Sequence, residues 1–159
     1  MQHSSIEPEQ SGSAIYTVIQ SLIDSQEALV EIGERLEDQE LKRLFLAESL
    51  KRAEFCGELE SALNREGVGN LRTSSAAPGG VQEALAELRF KPHDAGDRAL
   101  LAMAEQSEDA AREAYAKAIN AFPPTPILQL LSSQALHIEE TYDFVKAAVE
   151  RTNETRNAA

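Results

Sequence analysis

Five polar residues fall at the middle of four helical patterns, and their side chains are of the types that bind metal ions or form buried ion pairs. They are Gln26, Glu48, Arg52, Glu108 and Gln134. Each interrupts a series of apolar residues with helical spacing, and counting from the predicted turns places all five at similar heights. Burying a charged group is costly unless that group is paired. This layer therefore predicts either a metal centre or a closed network of ion pairs and hydrogen bonds.

A dinuclear carboxylate centre is the functional interpretation of this layer. Helical bundles build such centres from one Glu on each of two helices and a Glu-x-x-His motif on each of the other two. The matching positions here are Gln26, Glu48-Ser49-Leu50-Lys51, Glu108 and Gln134-Ala135-Leu136-His137. A bound iron or manganese ion would accordingly have Glu48, Glu108 and His137 as ligands. Arg52 brings a permanent positive charge into the same space.

A metal-free network is the interpretation that we favour. Arg52 is spaced to reach Glu48, one turn back on its own helix, and Glu108 across the core. Gln26 and Gln134 would complete the hydrogen bonds around these three groups. In this interpretation no cofactor is bound, no residue is catalytic, and the layer sets the register of the helices.

Four stretches with helical periodicity must position these side chains, and none shows sustained strand alternation. They cover residues 13–37, 38–66, 97–121 and 126–152. Asp38 is a good N-cap for the second stretch, Gly67 ends it, and Pro123-Pro124-Thr125-Pro126 separates the third from the fourth. The predicted inward-facing residues are Ile15, Ile19, Leu22, Leu29, Leu36, Leu41, Phe45, Phe55, Leu59, Leu63, Leu101, Ala104, Ala111, Tyr115, Ala118, Phe122, Leu131, Ile138, Tyr142, Val145 and Val149.

The lengths of the connections predict the topology. The first two helices meet at residues 37–38 and the last two meet across the proline turn, so each pair should form an antiparallel hairpin. The stretch between the hairpins, residues 67–96, contains a short amphipathic helix at 81–89 and is long enough to run the length of a bundle, as in ferritin-like folds. We therefore expect an all-α four-helix bundle over residues 13–152. Residues 1–12 are expected to be a disordered tail, and residues 153–159 a frayed C-terminus.

The composition argues against several classes of function. There are 15 Lys+Arg against 27 Asp+Glu, a net charge of −12 at pH 7, which disfavours binding to nucleic acid or to an anionic membrane surface. No apolar run approaches the roughly 20 residues of a spanning helix. The single cysteine, Cys56, precludes an internal disulfide, and we expect an inert buried thiol. These features predict a cytoplasmic protein.

A second apolar row on the first helix bears on partners. Tyr16, Ile23 and Val30 are spaced seven residues apart, away from the main stripe. On the second helix, Leu46 and Leu50 also lie off the main face. We expect the short helix at 81–89 to cover part of these rows and a weak homodimer to cover the rest.

Over residues 13–150 the chain resembles bacterial ferritin-like four-helix-bundle proteins of unknown function, a domain-of-unknown-function family related in fold to ferritins and rubrerythrins. The likeness lies in residues 24–29, 38–46, 49–55 and 105–115, in the proline turn and in Gln134. Arg52 looks like a feature of that family. The chain departs from the family pattern at Ser25, where a glycine is usual, and at Tyr142, where a histidine is common. The resemblance implies the ferritin-like fold and no established activity, and ferroxidase chemistry carries over to no residue of this chain.

The function that we expect is that of a non-enzymatic, stress-associated binding or scaffold protein with a degenerate di-metal site. The alternative is a di-iron or di-manganese carboxylate protein that performs ferroxidase or peroxide chemistry with a reduced ligand set.

Overall fold

Four long helices make up the described part of the chain, which in the computed structural model comprises residues 8–67 and 96–157. They are α1 (Pro8–Arg35), α2 (Gln39–Arg65), α3 (Asp97–Asn120) and α4 (Thr125–Asn157). The all-α prediction is confirmed, and the ends of α2 and α3 lie within one residue of those predicted. The structure differs from the prediction at the two ends of the chain. Residues 8–12, predicted to lie in a disordered tail, and residues 153–157, predicted to be frayed, are helical. The predicted short helix at 81–89 lies outside the described residues.

A side-chain cap marks the start of α2, and a residue with positive φ follows each of α2 and α3. Asp38 Oδ1 accepts a hydrogen bond from the backbone N–H of Leu41 at 3.0 Å, as expected of an N-cap. Beyond the other end of α2, Gly67 has φ +74°, a conformation that glycine adopts without steric cost. Phe122, after α3, also has a positive φ, 52°, and its side chain is 73% exposed. The predicted inward position of Phe122 was wrong, because the chain leaves the helix before that residue.

The start of α3 lies beside the turn between α1 and α2. Asp97 Oδ1 accepts a hydrogen bond from the Glu37 N–H at 2.8 Å, and Asp97 Oδ2 accepts one from the Asp38 N–H at 3.1 Å. The helix α3 therefore begins at the end of the bundle where α1 stops, and the two run antiparallel. Since α2 starts at this same end, Gly67 and Gly96 lie at opposite ends of the bundle. Residues 68–95 connect these two ends.

The four helices form a ring in which each has two neighbours. Helix α1 packs against α2 and α3, while α4 packs against α3 and α2. Helices α2 and α3 therefore occupy one diagonal of the bundle, and α1 and α4 occupy the other. Among the four neighbouring pairs, α2 and α4 approach each other least. None of the four described helices carries an apolar stretch of the length and hydropathy that crossing a bilayer requires.

The core consists of two apolar clusters, one toward each end of the bundle. The cluster toward the α3–α4 turn contains Ile15, Val18, Leu22, Phe55, Leu59, Ala62, Leu63, Ala111, Ala114, Tyr115, Ala118, Ile127, Leu131 and Ile138. The cluster toward the α1–α2 turn contains Ala28, Leu29, Ile32, Leu36, Phe45, Leu100, Leu101, Ala104, Val145 and Ala148. Between these clusters the buried positions are polar, and Ser25, Ser49, Arg52, Ser107 and Glu108 fill them. A layer of polar side chains thus divides the hydrophobic core at mid-bundle.

Candidate functional site

Arg52 is at the centre of the polar layer, and its side chain is 0% exposed. Its guanidinium donates three hydrogen bonds to side chains on three helices. Nη2 donates to Glu108 Oε2 on α3 at 2.6 Å, and Nε donates to Glu48 Oε1 on α2 at 3.0 Å. Nη1 donates to Ser25 Oγ on α1 at 3.2 Å. The predicted bridge from Glu48 through Arg52 to Glu108 is present in the structure.

Glu48 connects this layer to the fourth helix. His137 Nε2, on α4, lies 2.8 Å from Glu48 Oε1 and 3.0 Å from Oε2. Because an ionised carboxylate only accepts hydrogen bonds, this geometry assigns a proton to Nε2 of His137. Thr141 Oγ1 donates to the His137 carbonyl at 3.0 Å and lies 3.4 Å from Glu48 Oε1. The His137 ring also packs edge-on against Phe55, with centroids 5.3 Å apart.

Glu108 is fully buried, and its two oxygens differ in their surroundings. Oε2 is paired with Arg52, whereas Oε1 has no hydrogen-bond partner. Burial raises the pKa of Glu108 above its ordinary value. The charge and hydrogen bond of Arg52 oppose this effect, the negative charge of Glu48 adds to it, and His137 opposes it more weakly. The protonated form of Glu108 is therefore favoured by folding.

Arg52 stays protonated in the folded protein. Burial alone lowers the pKa of a guanidinium, but the charges and hydrogen bonds of Glu108 and Glu48 together raise the pKa of Arg52 above its ordinary value. Serine residues at the same level leave room for this long side chain. Ser25 Oγ donates to the Leu22 carbonyl at 3.1 Å and accepts from Arg52, while Ser49 Oγ donates to the Leu46 carbonyl at 2.6 Å. These buried serines are a signal in the sequence that apolar periodicity alone does not reveal.

Gln134 belongs to a second polar group, one turn away from the layer. Its Oε1 accepts a hydrogen bond from the Tyr115 hydroxyl at 2.8 Å. Its Nε2 donates to the Phe55 carbonyl and to Glu58 Oε2, both at 3.3 Å. Gln134 is thus buried, as predicted, but it does not complete the hydrogen bonds of Arg52. On α4, the residues that lie at the height of the polar layer are His137 and Thr141.

Gln26 is not part of the layer. It is half-buried and lines a surface groove along α1 together with Ile23, Val30 and Glu34. Ser25, one residue earlier, occupies the core position that the sequence assigns to Gln26. A shift of one residue turns a helical side chain by about 100°. The predicted place of Gln26 in the buried layer was therefore wrong by one residue.

The donor groups at this site do not fit a pair of divalent cations. A dinuclear centre needs carboxylates that bridge both ions, and here the guanidinium of Arg52 lies between Glu48 and Glu108. In residues 8–67 and 96–157, no three His, Cys, Asp or Glu side chains are grouped so that they could hold a metal ion. Cys56 lies outside the layer, half-buried, and burial raises the pKa of its thiol to about 11. The thiol is therefore protonated at neutral pH.

A slot opens between α2 and α4 next to Glu48. Its volume is about 200 Å³, and it reaches inward to the buried residues Leu29, Phe45 and Val145. Leu44 and Phe144 form its outer apolar walls and are partly exposed. Glu48, His137, Glu140 and Thr141 supply its polar side. The slot gives the Glu48–His137 pair a route to solvent.

The sequence matches the family described as Domain of unknown function (DUF2383) over residues 10–121, which is more than half of the chain. The matched stretch includes Ser25, Glu48, Arg52 and Glu108, whereas α4, which carries His137, lies beyond it. No curated protein and no solved structure matches the chain. The chain belongs to the DUF2383 family, a domain of unknown function.

Proposed function

We propose that this chain is a cytoplasmic, non-enzymatic binding or scaffold protein, built on a ferritin-like bundle whose di-metal position is degenerate. The observation that carries the proposal is the position of Arg52, whose guanidinium pairs with Glu48 and Glu108 at the centre of the bundle. A cation entering between these carboxylates would have to displace a group of the same charge sign. Displacement would also leave that guanidinium buried without its partners, which is costly.

The helical topology supports the ferritin-like part of the proposal. Two antiparallel hairpins are joined by residues 68–95, whose attachment points, Gly67 and Gly96, lie at opposite ends of the bundle. A connection of this kind is the long crossover that distinguishes ferritin-like bundles from simple up-and-down bundles. All four helices also contribute polar side chains to one level, which is where ferritin-like proteins build metal centres.

Metal analysis of the full chain tests this proposal. The protein is expressed in medium with added iron, and separately with added manganese, and its metal content is then measured by plasma mass spectrometry. We expect metal well below one ion per chain, at the same level in wild type and in Glu48→Gln. We also expect Fe(II) oxidation and peroxide decay at the rates of protein-free buffer. Metal near one or two ions per chain that is lost in Glu48→Gln would overturn the proposal.

One observation favours the alternative, a di-iron or di-manganese protein with a reduced ligand set. Glu108 Oε1 is buried without a hydrogen-bond partner, and a bound cation is one group that would satisfy this oxygen. Arg52 would have to swing out of the layer to make room for that ion. Stoichiometric metal in the experiment above is the result that this alternative requires.

We also propose a weak homodimer formed through the outer face of α1. Ile23 is 37% exposed, and Tyr16 and Val30 are half-buried. A groove of about 400 Å³ follows this face and is lined by Ile23, Gln26 and Val30 with acidic residues beside them. A second copy of α1 that packs against this row would bury its apolar surface.

A further inference from the structure

The slot between α2 and α4 combines an apolar interior with an acidic side. Leu29, Phe45 and Val145 line its buried part, and Leu44 and Phe144 line its mouth. A second cavity, of about 390 Å³, is also lined by Leu44 and Phe144, so the two cavities adjoin at these side chains. Small-molecule sites typically have this form, with mostly apolar walls and a few polar groups that orient the ligand.

We propose that this slot binds a small organic amine, with the apolar body of the ligand between Leu44 and Phe144 and its ammonium group against Glu48. The inference deepens the binding role proposed above and rests on it, because a metal-loaded centre would alter Glu48. The site binds and orients a cation, and no covalent bond is formed or broken.

Charge complementarity favours a cationic ligand. Glu48 and Glu140 are the acidic side chains that line the slot, and His137 is its one basic residue. The carboxylates of Glu48 and Glu140 would attract an ammonium group in the slot, whereas they would repel a carboxylate ligand.

Glu48 has the hydrogen-bonding capacity for such a ligand. A carboxylate offers about four lone-pair sites. The donors that the structure places on Glu48 are Arg52 Nε and His137 Nε2, while the Thr141 hydroxyl donates its one proton to the His137 carbonyl. One more N–H donor from the slot can therefore be accepted without displacing Arg52.

The size of the slot limits the ligand. At about 30 Å³ per water-sized group, a volume of about 200 Å³ holds on the order of seven non-hydrogen atoms. Hexylamine has this size and is the probe that we select. Hexanol and hexanoate have the same apolar body with a neutral and a negative head group, so they isolate the contribution of the charge.

The test is isothermal titration calorimetry of the metal-free full chain with each of the three probes. We expect saturable binding of hexylamine at one site, with hexanol and hexanoate at least about tenfold weaker, the factor that corresponds to 1.4 kcal/mol. Glu48→Gln should weaken hexylamine binding by about tenfold or more. Glu140→Gln and Phe144→Ala, at the partly exposed mouth, should each weaken it severalfold, and they decide the matter if Glu48→Gln does not fold.

Asp143→Asn and Leu136→Ala are the matched controls, because both positions are exposed on α4 and neither lines the slot. Both controls should bind hexylamine with wild-type affinity. Absence of saturable binding would overturn the inference, and so would an affinity that falls equally in Asp143→Asn and Glu140→Gln, since that result indicates attraction to the acidic surface in general. The metal content of the same preparation separates the two proposals. Stoichiometric metal contradicts the proposed function, whereas metal-free protein that does not bind hexylamine contradicts this inference alone.

Discussion

The guanidinium of Arg52 and the carboxyl group of Glu108 meet across a diagonal of the bundle, with Nη2 2.6 Å from Oε2 and both side chains 0% exposed. Their helices, α2 and α3, do not pack against each other in the described residues. Side chains alone therefore connect this diagonal. The pair thereby constrains how far α2 and α3 can slide past each other, which is the register role that buried ion pairs have in some proteins.

Arg52→Met should strongly destabilise the fold. The change leaves the Glu48 and Glu108 carboxyl groups without their shared partner, and breaking a buried ion pair in this way costs about 3 kcal/mol or more. Urea unfolding followed by circular dichroism measures the loss. Lys51→Met is the matched control, because Lys51 is 42% exposed and pairs with Glu54 at the surface; its effect should stay within about 0.5 kcal/mol. An Arg52→Met protein within about 1 kcal/mol of wild type would contradict a structural role for the pair.

The raised pKa of Glu108 predicts a specific dependence of stability on pH. A carboxyl group whose pKa is higher in the folded than in the unfolded chain stabilises the fold below its unfolded pKa, and this contribution is lost as the pH rises through the folded pKa. The free energy of unfolding of wild type, minus that of Glu108→Gln, should therefore fall as the pH rises from about 4 toward neutrality. Arg52, Glu48 and His137 are present in both proteins, so the difference isolates Glu108.

Urea unfolding of both proteins across this pH range provides the measurement, with Glu113→Gln, at an exposed position of α3, as the matched variant. A difference that grows with pH would mean that the attraction of Arg52 outweighs burial and that Glu108 is held ionised. That outcome would reverse the direction of the pKa shift.

Replacement by alanine should have different effects at two helical glycines. A Cβ atom at Gly33, on α1, would lie 3.2 Å from Phe45 Cβ and 3.4 Å from Leu46 Cδ2, whereas a Cβ atom at Gly57 would meet no atom within 4 Å. Gly57→Ala should therefore stabilise the protein by about 0.5–1 kcal/mol through helix propensity. Gly33→Ala should lose that gain, because Phe45 Cβ is fixed to the backbone of α2 and the two helices would have to separate. Chemical denaturation of the two variants checks the contrast, and equal stabilisation by both would contradict close packing of α1 on α2.

The proposed homodimer predicts a concentration-dependent mass. Sedimentation velocity at micromolar concentrations should detect dimer in wild type, and Ile23→Glu should shift the equilibrium to monomer by placing a charge in the apolar row. Leu136→Glu is the control, because Leu136 is 69% exposed on α4, away from this row. A wild-type protein that is strictly monomeric throughout the range would refute the dimer.

The charged part of the candidate site could be predicted from the sequence, whereas its neutral partners could not. Three charged residues interrupt the apolar stripes at single positions: Glu48, Arg52 and Glu108. A charge that is buried without a partner is strongly destabilising, so these positions predict ion pairs. Ser25 and Gln26 are adjacent, and helical spacing permits a core residue at either the third or the fourth position after Leu22. Only the packing of α1 against α2 and α3 selects Ser25. The smaller residue fits because Arg52 fills the space.

The sequence by itself determined the four helices, the N-cap of α2 and the two hairpins, since apolar periodicity, Asp38 at the start of α2 and the proline turn each act within a few residues of the chain. The tertiary structure decided which side chains of different helices lie at the same height along the bundle. His137 rather than Gln134 faces Glu48 because the relative height of two helices depends on how they pack, and three residues along a helix amount to about 4.5 Å. It also decided that one oxygen of Glu108 is buried without a partner. Such a feature depends on every side chain around it, and no local pattern encodes it.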